Sequence, residues 1–182
     1  MNTILYKFKS ATVLTLLCFT FQISWCQTYS ADEDSESTET STKVNGQEFS
    51  QTQFSSFFNT TPNAELETIQ SNAIAIQQVG SNNNVNAKVA SRASDINIAQ
   101  NGLRNTVGLT YQVDAVVTTL GQNGNDNTIL DYVIDPNAKV SLDLKQNGNN
   151  LTFDKFGSNN ITKNIKFTQT QASPVIIIRS FN

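Results

Sequence analysis

From about residue 70 onward, apolar and polar residues alternate in short bursts that recur at a nearly constant spacing. Ile74, Ile76 and Gln78 share one parity, and Ile96, Ile98 and Gln100 repeat it. Thr118, Leu120 and Gln122 follow, then Leu142, Leu144 and Gln146, and Ile165, Phe167 and Gln169 close the series. The steps between the glutamines are 22, 22, 24 and 23 residues. Residues of the other parity are nearly all polar or small: Ala75, Asn97, Thr119, Asp143 and Lys166 in one column, Gln77, Ala99, Gly121, Lys145 and Thr168 in another. Alternation with period two over six or seven residues predicts a strand with one buried face. Five copies in register predict a repeat architecture.

Each glutamine is followed by turn chemistry. Gly80, Gly102, Gly124 and Gly148 occupy one column, and Asn83, Asn105 and Asn127 the next marked one. Both residue types tolerate the positive φ of a sharp reversal. A return strand is predicted after each turn, with Val85, Ala87 and Val89 facing inward in the first unit and Val107, Leu109 and Tyr111 in the second. Second turns fall near residues 91–94, Asp114, 135–138 and 157–160.

An antiparallel meander and a stacked solenoid both accommodate strands and turns of this length. The columns favour the solenoid. In a meander a glutamine needs no copy of itself 22 residues on, whereas stacked coils place such residues ~4.8 Å apart. There, amides can pair in a ladder, each supplying donor and acceptor. A buried amide left alone costs ~1–3 kcal/mol, so the repetition is explained if the copies satisfy one another. Gln78, Gln100, Gln122, Gln146 and Gln169, with Asn83, Asn105 and Asn127, are therefore the expected amide ladder.

Composition narrows the function. The chain has 182 residues, no histidine and a formal net charge of −3, and 38% of it is apolar. Histidine is the commonest general base and metal ligand, and a small negative charge does not recruit nucleic acid. The aspartates at 95, 114, 126, 131, 135, 143 and 154 are dispersed and never repeat at 22 residues. No enzyme, no cofactor and no metal site is expected. Calcium at the Asp/Asn turns would need the acid in every coil, but Arg104 stands one unit before Asp126.

The start of the chain reads as a signal peptide over residues 1–26. Lys7 and Lys9 precede an apolar run from Ala11 to Phe21, with Ser24 and Cys26 before a cut at Gln27. Lipidation of Cys26 is the rival, opposed by bulky Trp25. Both cysteines, Cys18 and Cys26, leave with the peptide, so the exported chain has no disulfide. Residues 27–46 are acidic and Ser/Thr-rich and are expected to be disordered. Residues 47–70 carry Phe49, Phe54, Phe57 and Phe58, too many aromatics for a free linker, and read as a cap or docking segment. Residues 71–182 form the repeat domain.

The repeats resemble the curlin unit of curli-type functional amyloid fibres, written Ser, five residues, Gln-x-Gly-x-x-Asn-x-Ala, three residues, Gln. The stretch from Ser94 matches at Ser94, Gln100, Gly102 and Asn105. Val107 replaces the alanine, and Gln112 lies one place beyond the second glutamine. That second glutamine column is otherwise held by Val89, Tyr111 and Val133. The fourth unit reads as one residue short before Asn150. The fifth has Gln171 in place of glycine and Pro174 in place of asparagine, then ends "VIIIRSFN". This degenerate end is closer to the family's minor, nucleating subunit than to its major one.

The resemblance implies an all-β solenoid of about five 22-residue strand-turn-strand units, secreted or attached at the cell surface through an outer-membrane export system. It implies a fibre subunit or nucleator serving adhesion, surface attachment and biofilm matrix. Its partner would be itself or a major curlin-type subunit, joined head-to-tail by strand stacking, with no nucleic acid or small-molecule substrate. Asp131 falls on an inward position, and a bulge exposing it is expected, since an unpaired buried charge is costly. Lys163, Asp143 and Asp131 read as gatekeepers against premature assembly. The alternative is a monomeric secreted solenoid that binds a partner or surface as an adhesin.

Overall fold

The computed structural model describes residues 41–181. The expected signal peptide and residues 27–40 of the acidic segment lie outside the described residues. Two short strands, β1 (Ser41–Val44) and β2 (Gln47–Glu48), lead into helix α1 (Gln51–Phe57) and a 3-10 turn at Ala64–Glu67. Ten strands follow as five pairs: β3 (Asn72–Ser81) with β4 (Asn84–Val85), β5 (Ser91–Leu103) with β6 (Thr106–Val107), and β7 (Tyr111–Asn123) with β8 (Thr128–Asp131). The last two pairs are β9 (Val133–Asn147) with β10 (Thr152–Phe156), and β11 (Asn164–Gln169) with β12 (Val175–Phe181).

The first members of the pairs form one sheet in the order β3, β5, β7, β9, β11, and the second members form another that continues into β1 and β2. Every pairing among the ten strands is parallel. A meander would pair its neighbours antiparallel. The chain is therefore a β-solenoid of five coils. The columns stack as spaced: Ile76 lies beside Ile98, Ile98 beside Leu120, Leu120 beside Leu144, and Leu144 beside Phe167. Between the sheets, Ile96, Ile98, Leu120, Leu142, Leu144 and Ile165 meet Val107, Ile129, Phe153, Ile176 and Ile178 in one buried core.

The return strands are shorter than the alternation predicts. Val107, Leu109 and Tyr111 are buried, but ladder pairing stops after Val107 in that coil. Leu109, Tyr111 and Gln112 adopt φ of 75°, 68° and 61°, a left-handed bend that side chains rarely take and that turns the chain into the next coil. The fourth unit also differs. It is not one residue short: Leu151 takes the asparagine column, its N–H donating to Asn127 Oδ1 at 3.0 Å, and Phe153 aligns with Ile129. The longer step instead comes from the preceding corner, where pairing shifts between Val113 and Ala115 opposite Asp135 and Lys139.

Residues 41–46 belong to a stretch expected to be disordered, and they are ordered. β1 lies antiparallel along β12, Ser41 opposite Phe181 and Val44 opposite Ile178. Asn45 clamps the edge twice, its N–H on Ile177 O at 2.7 Å and its Oδ1 taking the Ile177 N–H at 2.8 Å. The acidic composition ends before these residues, and pairing with the exposed edge of β12 satisfies a backbone that the local sequence could not. Helix α1 starts in a capping box between Ser50 and Gln53. It buries Phe54, which stacks on Phe58 with ring centroids 4.5 Å apart; Phe58 lies 4.9 Å from Phe167 of the last coil. Asn59 then makes an antiparallel bridge to Lys166. Residues 41–59 thus cover the last coil. The 3-10 turn crosses the outer face of the five-stranded sheet, burying Leu66 against Ala115 and Val117 of β7.

Candidate assembly interface

The glutamine column is a continuous chain of amides. Gln78 Nε2 donates to Gln100 Oε1 at 2.6 Å, Gln100 to Gln122 at 2.8 Å, Gln122 to Gln146 at 2.9 Å and Gln146 to Gln169 at 2.9 Å. Each Nε2 from Gln100 onward has a second acceptor across the core: Asn84 O, Thr106 O, Thr128 O and Thr152 O in turn. A carbonyl can only accept, so these bonds fix which end of each amide faces which neighbour and give the ladder a direction. The last amide turns its donor onto Ser173 O and Pro174 O within its own coil. At the other end, Gln78 Oε1 is met by no donor among the described residues.

Asn83, Asn105 and Asn127 are not joined amide to amide. Each Oδ1 takes a backbone N–H of the next coil, from Asn105, Asn127 and Leu151 respectively, at 3.0–3.1 Å. Each Nδ2 donates to the next coil's glycine carbonyl, from Asn83 to Gly102, Asn105 to Gly124 and Asn127 to Gly148. Both ends of each asparagine amide are thus taken by backbone groups of the next coil's corner. A further column went unread in the sequence. Asn125 Oδ1 accepts from Leu103 N, and Asn149 Oδ1 from Asn125 N. Its signal is the first asparagine of "GNDN" and "GNN", directly after the glycine, where the first two units have Ser81 and Leu103.

Glycine at the corner is required twice over. Gly80, Gly102, Gly124 and Gly148 have φ between 109° and 146°. A Cβ on Gly80 would also strike the Gly102 carbonyl, one on Gly102 the Gly124 carbonyl, and one on Gly124 the Gly148 carbonyl. A Cβ on Gly148 would come nearest to the side chains of Gln171 and Leu151 instead, Gln171 standing in the glycine column of the fifth coil.

Charges stack by the same rule. Arg92 pairs with Asp114 at 2.8 Å, Arg104 with Asp126 at 2.6 Å, Lys166 with Asp143 at 3.0 Å and Arg179 with Asp154 at 2.7 Å. The first two hold their aspartates below the usual carboxylate range through the guanidinium hydrogen bonds. Asp131 is not exposed by a bulge. It is 1% exposed, with Lys155 Nζ at 2.8 Å and the Tyr111 hydroxyl donating to it at 2.9 Å. Burial, then the Asp131 charge, pushes the Tyr111 phenol well above its ordinary value. Lys155 neutralises the interior charge from the next coil, so Asp131 is a core residue and cannot guard an edge.

The two ends of the stack differ. All ten residues of β3 are exposed, and Ile74, Ile76 and Val79 are about half so. The open rung thus shows a strand edge with no partner among the described residues, an apolar pair and the Gln78 Oε1 acceptor. No cluster of three metal-ligating side chains converges among the described residues. Comparison with protein-family models, curated proteins and solved structures finds no match to the chain.

Proposed function

We propose that the protein is an exported, curlin-like assembly protein that starts or terminates an extracellular functional amyloid fibre, serving adhesion and biofilm matrix. The observation that carries this reading is the exposed ten-residue edge of β3, aligned with an internal ladder that has one open acceptor left. Unpaired edges of this length recruit further strands, and proteins that remain monomeric normally blunt them. The spacing of Gln, Gly and Asn supports the curlin-like character, and the apolar run at Ala11–Phe21 supports export. The covered last coil favours a nucleator or end subunit over a repeating one, because head-to-tail growth needs both edges free.

The same cover supports a second reading, a monomeric secreted adhesin whose open rung binds a surface. A thioflavin T time course separates the two. The full chain, diluted from denaturant and added in trace amounts to a curlin-type major subunit, is expected to shorten that subunit's lag. Ile76→Lys, which puts a charge on the open edge, is expected to abolish the effect. A chain that neither assembles nor alters the lag leaves the adhesin reading.

A further inference from the structure

Resting on that assembly reading, we infer that the open first rung is a coded socket: it accepts a terminal rung carrying an intact Gln-x-Gly-x-x-Asn corner from a different chain, and rejects the last rung of this one. Inside the stack, the second, third and fourth coils each offer their predecessor the same three corner groups. These are a glutamine Oε1 that takes the preceding Nε2, a glycine carbonyl that takes the preceding asparagine Nδ2, and a backbone N–H that seeks the preceding asparagine Oδ1. In the first coil these groups are Gln78 Oε1, the Gly80 carbonyl and the Asn83 N–H. Whatever docks in register must supply a glutamine amide and both ends of an asparagine amide. It must also be glycine two residues after its glutamine, since a Cβ there would strike the Gly80 carbonyl as one on Gly80 would strike Gly102.

The fifth coil of this chain fails each corner requirement. Gln169 sits in the glutamine column, aligned with Gln146, but its Nε2 is already held by Ser173 O and Pro174 O. Gln171 brings a Cβ to the glycine position, and Pro174 has no amide side chain for the asparagine position. Its edge is covered by β1 and Asn59 besides. A second copy docked open face to open face could pair the straight part of β3. It would place the two corners at opposite ends, leaving the Gly80 carbonyl and the Asn83 N–H without partners. An intact rung from another chain satisfies all three groups, so growth from this molecule is heterotypic and has one direction.

The test uses fluorescent 22-residue peptides and the full chain, read by anisotropy. One peptide carries residues 94–115, with an intact corner; a second carries residues 161–182; a third is the first with Gly102→Gln and Asn105→Pro. The intact peptide is expected to bind at least about tenfold more tightly than either of the others, the loss of more than one hydrogen bond. Ile76→Lys in the full chain is expected to remove that binding. Equal capture of all three peptides overturns the corner code and leaves docking at the first rung standing. Capture that survives Ile76→Lys places the peptide elsewhere and overturns the socket. Capture of none overturns both the socket and the assembly reading. A full chain that sediments as a dimer and excludes the intact peptide makes the second copy the occupant.

Discussion

The first and last coils are built on the same columns and end in opposite conditions. Ile74, Ile76 and Gln78 face solvent along an unpaired edge, while Ile165 and Gln169 are buried and Phe167 packs beneath Phe58. The parallel ladder alone makes the two ends unlike, and the fifth coil departs further, with Gln171 and Pro174 in the glycine and asparagine columns. The difference in burial comes from residues 41–59, which carry no trace of the repeat and supply a strand to one edge.

Several substitutions test how deep this difference runs. The largest effect is expected inside the stack, toward the covered side: Lys155→Met should cost about 3–5 kcal/mol in urea unfolding, leaving Asp131 as a buried charge. Adding Asp131→Asn should restore much of the loss, since the pair then goes together. Phe54→Ala should cost about 3 kcal/mol and speed hydrogen exchange at the Lys166 and Ile177 amides, which the cover protects. It should leave peptide docking at the first rung unchanged; a parallel loss of docking would mean that the ends are not independent.

Truncating single rungs of the ladder probes the same contrast at finer grain. Gln122→Ala strips an acceptor from Gln100 and a donor from Gln146, at a cost of about 1–3 kcal/mol. Gln78→Ala, on the exposed first rung, should cost about 0.5 kcal/mol or less while weakening docking. Equal costs would show that the open rung is held as firmly as the interior. The smallest effect is expected from the exposed ion pairs. Asp114 and Asp126 titrate below the usual 3.8 because of Arg92 and Arg104. The stabilisation they supply is present above that value and is lost as the pH falls through their lowered folded values. Between about pH 5 and about pH 2.5, Tm should drop slightly more for the parent than for Arg104→Gln.

The period, the inward parity and the glutamine ladder were legible because each depends only on residues one coil apart, and a repeat prints that relation in the chain. What was hidden depends on exceptions to the period. Asp131 looked isolated because its partner, Lys155, is 24 residues away rather than 22, across the corner where two residues are added. The placement of Leu151 in the asparagine column was hidden by the neighbouring Asn150, which resembles the motif one position early. The asparagine column repeats as the glutamine column does, and the repeat alone does not reveal that its amides bond backbone groups of the next corner. The cover on the last coil had no local signature beyond its phenylalanines, since an edge strand is recruited by an unpaired backbone rather than by a sequence pattern.

That cover also orders events in time. Each coil closes a loop of 22 to 24 residues, whereas seating Asn45 on Val175 closes one of 130. The extra closure entropy is only about 1.5 kcal/mol, but the contact cannot form until the final strand exists. The segment that seals the last edge is thus the earliest part of the described chain to be synthesised and the last to find its place. Until it does, the described part of a nascent molecule has two open strand edges instead of one.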